Sequence, residues 1–425
     1  MLSGTYDDRP QQPPGPPPHR RLTRGVTAAS LAATMMAASL LQGSVGAFSP
    51  LITADLGLSR TGLGVLLSGY YLAAALTSAP LGRLIDRLGG RRGLVLVLVL
   101  AILATGTAAV STGQVLFGAA LLVSGLTVAA ANPATNLALA ATPPPHGTVM
   151  GVKQSGMQLA PVVAGVFLAP IAAVFGWRAA VGVASGLAAV LLVAVYVCWC
   201  AAPRRLPRVA SVAPAAGAAS PSLRLLAAYS FCMGIGYANV MVYLALFAHE
   251  VLLFSEHRAA VLIAVVGASA VAARIGWSVL VERGRGRLGS ERAVLVLIAL
   301  IAIAASLGLL VAQQVAAGAV WAAAIGIGLS AAAWNGVVML VLVRHSGAAI
   351  SLGRASGRVQ GAFFLGLALG PPVFGAAVDH IGGYTIGWLW TAASFAAAFV
   401  AALALSRARR TRSAGGSDAE MRGAP

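Results

Sequence analysis

Carboxylates are scarce in this chain: 11 Asp and Glu among 425 residues, with charged residues of every kind making up 9%. No acid falls deep inside any of the long apolar runs. Asp379 stands at the outer end of one run and Glu282 at the inner end of another. A proton relay on a buried carboxylate therefore has no residue to use. Three cysteines, Cys198, Cys200 and Cys232, lie in apolar stretches without metal or redox spacing and read as packing residues. Phosphate-binding loop, metal cluster and nucleophile–base pair are all lacking. ATP-driven pumping and membrane-bound catalysis thus have no residues to run on, and no cofactor is implied. Lysine occurs once, at Lys153; the other 28 basic residues are arginine. With heavy use of Ala, Gly, Val and Pro, this points to a high-GC bacterial source.

What is abundant is apolar sequence. Hydrophobic residues make up 59%, and mean hydropathy is +0.86. A soluble chain of this length has too little interior to hide that surface, so an all-α polytopic membrane protein is expected. The net charge of +18 invites a nucleic-acid partner, but its placement argues against one. Of the 29 basic residues, only Arg60, Arg178 and Arg258 fall in the expected outer loops. This asymmetry places both termini in the cytoplasm and the chain in the inner membrane.

Residues 1–24 are Pro-rich and polar and read as a disordered tail. Arg20-Arg21 before Val26–Phe48 resembles a signal-peptide start, but the run is too long, so an uncleaved first span is expected. Six spans fill 25–201: after the first come 62–81, 93–111, 115–141, 148–174 and 179–201. Residues 202–224 have linker composition. Six more spans fill 225–406, at 225–248, 258–281, 293–312, 315–343, 355–378 and 384–406, and 407–425 form a basic, then polar tail. Twelve helices in two six-helix bundles follow.

The two halves repeat. Gly125 to Asn132 in span 4 parallels Gly328 to Asn335 in span 10. In span 5, Gly156, Ala160, Pro161, Ala164 and Gly165 parallel Gly366, Gly370, Pro371, Phe374 and Gly375 in span 11. Small residues at this spacing let helices approach closely, and proline removes a backbone donor.

Between spans 2 and 3 the chain reads Gly-Arg-Leu-Ile-Asp-Arg-Leu-Gly-Gly-Arg-Arg, from Gly82 to Arg92. So short a loop makes its flanking helices antiparallel neighbours. Asp86 is its only acid and can hold the crowded basic groups by charge-assisted hydrogen bonds. Gly82, Asp86, Arg87, Gly89, Arg91 and Arg92, with Leu84 between, resemble the signature loop of the major facilitator superfamily. Glu282-Arg283 after span 8, with Arg285 and Arg287, is a degraded echo. The resemblance covers about 25–406. It implies two bundles rocking about a midplane site, with this loop as a gate that locks one state and releases another. The span 5 pattern resembles the family's Gly-Pro motif, associated with exchangers, with plain close packing as the alternative.

Gly151-Val152-Lys153-Gln154-Ser155-Gly156 resembles a stretch of the branch that includes cyanate-type anion permeases. The substrate is then a small organic or inorganic anion, moved by exchange, by uniport or with a proton, in a monomer. Lys153, Arg274, Gln154, Gln158, Asn132, Asn335 and Tyr243 are the candidate ligands. Arg274 stands sixteen residues inward from Arg258. It either binds the anion, as in nitrate porters of the superfamily, or ties span 8 to the Glu282 loop. Lys153 either meets substrate or snorkels to the interface. Arg358 looks like its partner in span 11, although the Gly-Pro register pairs Lys153 with Phe363. Gln42, Asn136, Asn239 and Gln360 are further polar groups within spans, for lining a cavity or for interhelical bonds. A proton-coupled drug or metabolite exporter, and a transporter-like sensor that binds without turnover, are the alternatives.

Overall fold

The computed structural model describes residues 24–140, 147–199, 221–283, 291–345 and 352–421. Its regular structure among these residues is entirely helical. In chain order the helices are α1 (Arg24–Ala47), α2 (Ser49–Leu56), α3 (Arg60–Leu88), α4 (Gly90–Ala109), α5 (Gln114–Ala140), α6 (Gly147–Val162) and α7 (Ala169–Cys198). They continue as α8 (Pro221–Glu250), α9 (Glu256–Arg283), α10 (Glu291–Gln314), α11 (Ala319–Leu329), α12 (Asn335–His345), α13 (Leu352–Ala377) and α14 (Tyr384–Met421). The tail at 1–23, most of the linker, the triple proline at 143–145 and Arg285 and Arg287 lie outside the described residues.

Among the described residues, ten helices are long and apolar enough to cross a membrane. In lipid a helix alone satisfies its own backbone, which is why apolar runs of this length take that form. Two local features separate this count from the expected twelve. Residues 149–198 run as one helical stretch of 50 residues, passing through a π-helical turn at Val163–Leu168. Within it Gly176 leaves helical geometry, at φ 83° and ψ 160°. Gly89, between α3 and α4, has the same φ and ψ. That corner of backbone space is open essentially to glycine alone, so one residue suffices to turn the chain at each place.

The second feature is a break in the tenth expected span. Residues 330–334 are not helical, and only the 11-residue α11 and the 11-residue α12 flank them. No proline or glycine lies in Ser330-Ala331-Ala332-Ala333-Trp334. Side chains from other helices satisfy the freed carbonyls instead: Trp277 Nε1 donates to the Leu329 carbonyl at 2.7 Å.

The repeated glycines sit at the crossings. A Cβ on Gly156 would strike the Ala32 backbone of α1, and one on Gly366 would strike the Phe231 backbone of α8. Gly165 lies against Ala260 and Ala264 of α9, and Gly375 against Arg60 and Thr61 of α3. Gly370 packs on Ile235 and Asn239. Pro371 meets Gly64, and Pro161 meets Gly43 and Gly267. The same contacts recur in both halves of the chain. The halves meet along α3 with α13 and α6 with α9.

Candidate functional site

The break between α11 and α12 draws three helices together. Arg274 of α9 donates from Nη2 to the Ala332 carbonyl at 3.2 Å and from Nη1 to the Gln154 carbonyl of α6 at 3.4 Å. Gln158 Nε2, one turn along α6, donates to the same Ala332 carbonyl at 3.4 Å. One guanidinium therefore bridges the N-terminal half, through Gln154, and the C-terminal half, through Ala332. Tyr237 of α8 lies beside both Gln158 and Arg274. Tyr71 of α3 borders Tyr237 and the Gln42 side chain of α1. Its ring packs edge-on against Tyr70 with centroids 4.8 Å apart. Asn335 opens α12 three residues past Ala332, and its Oδ1 has no hydrogen-bond partner among the described residues. The result is a wall of amides, hydroxyls and one fixed cation at a discontinuous helix.

Lys153 is 0% exposed and sits apart from that wall. Its ammonium crosses from α6 to α5 and donates to Asn132 Oδ1 at 3.3 Å and Asn136 Oδ1 at 2.5 Å. Asn136 is itself exposed, and Asn132 is half-buried. The lysine does not snorkel: it turns inward to two amides. Arg358 of α13 is exposed.

Tyr243 belongs to a third place, the Arg60 end of the molecule. Its hydroxyl lies 2.8 Å from the Arg60 carbonyl of α3 and 2.7 Å from the Pro371 carbonyl of α13, and its ring stacks on Phe374 at 4.5 Å. Around it α3, α8 and α13 are tied together. Arg60 donates to Glu250 Oε2 from Nη2 at 2.9 Å and from Nε at 3.3 Å, and approaches Asp379 Oδ1 at 3.9 Å. Thr61 gives Asp379 Oδ2 both its backbone N–H at 2.8 Å and its hydroxyl at 2.7 Å. Tyr384 donates to the same Glu250 oxygen at 2.8 Å. Further in, the Ser68 hydroxyl reaches the Ala368 carbonyl. This end is closed.

The opposite end carries the Gly82–Arg92 loop. Asp86, Arg87 and Arg92 are exposed. Asp86 makes no ion pair among the described residues, and Arg91 lies over the Tyr196 ring at 4.6 Å. Glu282 and Arg283 form the last turn of α9. Among the described residues the two ends thus differ: a cluster of ion pairs and hydrogen bonds joins the helices at the Arg60 end, and Asp86 makes no ion pair at the other.

The family model of the Major Facilitator Superfamily matches residues 31–352. The chain belongs to the major facilitator superfamily. Its fold agrees with solved superfamily members. A bacterial homolog of the human lysosomal transporter Spinster, in an inward-facing and occupied conformation, superposes with a TM-score of 0.71 at 17% identity, over 91% of this chain and 97% of that one. The unoccupied inward-facing form of the same protein gives 0.70. A mutant of the nucleoside transporter NupG gives 0.73 at 14% identity, over 89% of this chain and 99% of that one. No curated protein matches. The superfamily consists of membrane transporters, so this chain is a transporter of small molecules and not an enzyme. Of the expected site residues, the superfamily fold brings Arg274 and Gln158 to the Ala332 carbonyl and Arg274 also to the backbone carbonyl of Gln154. It places Lys153, Asn132 and Asn136 in a second group and Tyr243 in the closed end. Tyr70, Tyr71 and Tyr237, and the Arg60–Glu250–Asp379 cluster, carry no signal in one sequence beyond their residue types.

Proposed function

We propose that this protein is a secondary transporter of a small anion, working by alternating access in the inner membrane of a bacterium. Twelve crossings form two six-helix bundles, with both termini cytoplasmic and the Arg60 end facing outward. The described state is closed outside and released inside. Two observations support this: the sealed Arg60 cluster with an unengaged Asp86, and the likeness to inward-facing Spinster-homolog structures. A single observation carries the anion reading. The guanidinium of Arg274 stands at the broken helix between the halves, where it donates to the neutral carbonyls of Gln154 and Ala332. Charge-assisted pairs with a carboxylate are about twice as strong as neutral hydrogen bonds, so an arriving anion can take the guanidinium from those carbonyls. Planar and permanently charged, arginine suits that bidentate contact. Exchange is the favoured mode, because a carrier whose halves are bridged by Arg274 when empty moves more readily once an anion has relieved the bridge.

The test runs in two steps. Thermal stabilisation of purified protein by small carboxylates, inorganic anions, amines and uncharged metabolites identifies a ligand; an anion is expected. Counterflow of that labelled anion in proteoliposomes then shows exchange. Binding without counterflow makes the protein a sensor, and stabilisation by amines alone sinks the anion reading.

A further inference from the structure

Lys153 is the one lysine in 425 residues, is fully buried, and takes no part in the Arg274 group. Of the helices nearest it, α5 and α6 contain no other Asp, Glu, Lys, Arg or His, and α1 contains only Arg24, its first residue. From α9 the charged neighbour is Arg274, whose hydrogen bond falls on the carbonyl of Gln154, the next residue after Lys153. The ammonium is thus held by two amide oxygens, Asn132 Oδ1 and Asn136 Oδ1.

An amide is the side chain able to serve both forms of an amine. Its oxygen accepts from –NH3+; rotated by half a turn, its –NH2 donates to the lone pair of –NH2. A carboxylate partner would fix the ammonium form; a pair of asparagines does not. Asn136 is also exposed, so Nζ stands one hydrogen bond from a group in contact with the surroundings. Two features connect this place to movement. Pro133 follows Asn132 and gives no N–H to the Ala129 carbonyl, which weakens α5 at the contact. Gln154 joins Lys153 directly to the Arg274 bridge between the halves.

We propose that Lys153 is the proton-binding site of the transport cycle, its proton exchanged with water beside the exposed Asn136 and its two states read out by the asparagine pair and the α6–α9 contact. Resting on the alternating-access reading above, it makes the proton the coupling ion, carried on a lysine and not on a carboxylate. In the step itself an Nζ–H bond breaks, the proton passes to water, and the electron pair stays on nitrogen to accept from an asparagine N–H. On this proposal the described state, with the Arg60 end closed, belongs to the protonated lysine.

The test needs no ligand. Spin labels at Thr112→Cys and Ala316→Cys, in exposed turns at the Arg60 end of the two halves, report the opening of that end in full-length protein in nanodiscs, with Cys198, Cys200 and Cys232 replaced by serine. The distance distribution is recorded from pH 5.5 to 9. The closed population of the parent should fall as pH rises, its ratio to the open one changing by roughly 5- to 150-fold, the usual range of coupling between sites. Lys153→Arg, which keeps its charge at every pH, should stay closed throughout, and Lys153→Gln should stay open throughout. Asn136→Leu should retain either state but lose the pH response. Equal pH responses in the parent and Lys153→Gln overturn the proposal, as does a parent that ignores pH. Asp379→Asn breaks the closed end by another route. If it moves the distance and pH does not, the proton proposal falls and alternating access stands; if neither moves it, both fall.

Discussion

Replacing Asp379 by asparagine removes one negative charge from the closure at the Arg60 end and leaves its shape intact. In the structure Asp379 Oδ2 takes two hydrogen bonds from Thr61, at 2.8 and 2.7 Å, and its side chain is 12% exposed. A hydrogen bond to a charged group contributes about 1.5–3 kcal/mol, against about 0.5–1.5 kcal/mol for a neutral one. Asparagine can still offer an oxygen to Thr61, so each bond weakens by about 1 kcal/mol. The contact with Arg60, at 3.9 Å and with the arginine 41% exposed, adds less than about 1 kcal/mol after screening by solvent. Together the closed state loses about 2–3 kcal/mol, or roughly 30- to 150-fold in the closed-to-open ratio. Contacts within each half are spared, because Asp379, in the π-helical turn Val378–Gly382 that follows α13, bonds to Thr61 of α3 in the other half. Spin-label distances between Thr112→Cys and Ala316→Cys should therefore lengthen while thermal stability changes little. An unchanged distribution, or general unfolding, would refute the view that this cluster is a gate.

Other predictions follow from the same geometry. Asp86→Asn should leave the described state untouched, since Asp86 has no ion pair there, yet slow transport by weakening the opposite state; normal uptake with normal expression counts against a gate role. Tyr243→Phe leaves the Arg60 and Pro371 carbonyls without their donor and should weaken the closed end by about 1–3 kcal/mol, read by the same distance pair. Gly156→Leu drives a side chain into the Ala32 backbone and should destabilise the α1–α6 contact by about 1–3 kcal/mol, read as a lower melting temperature. For orientation, Ser59→Cys and Ser255→Cys should react with an impermeant thiol reagent added to intact cells and Ser211→Cys should not; the reverse pattern inverts the topology.

Helix positions were largely legible in the amino-acid sequence, because in lipid an apolar run of the right length has few alternatives to a helix. The paired Gly-Pro stretches also foretold contacts: Gly156 and Gly366 each lie against the backbone of a helix, as small residues at membrane crossings should. The break at 330–334 was not legible. Three alanines are strong helix formers, and only Trp277, Arg274 and Gln158, brought in from α9 and α6, make the open backbone stable there. The closed end was hidden for another reason. Arg60 and Glu250 are 190 positions apart and Thr61 and Asp379 are 318 apart, so nothing local marks them as partners. Tyr70, Tyr71 and Tyr237 carry no mark in the sequence that separates them from packing residues, because aromatic residues are at home on apolar helices. For Arg274 the sequence left the role open between ligand and tie. In the structure it joins two helices from different halves through the Gln154 and Ala332 carbonyls, a contact no local pattern announces.

The account rests on Arg274 most of all, and ligand affinity across three proteins tests it. The anion that stabilises the parent is titrated against the parent, Arg274→Lys and Arg274→Gln, with folding checked by melting temperature. Loss of one member of a buried charged contact costs about 2–5 kcal/mol, so Arg274→Gln should bind roughly 30- to several-thousand-fold more weakly. Lysine keeps the charge but not the planar fork, so Arg274→Lys should fall between the two. Unchanged affinity in a folded Arg274→Gln protein would contradict the account and leave Arg274 as a tie between helices.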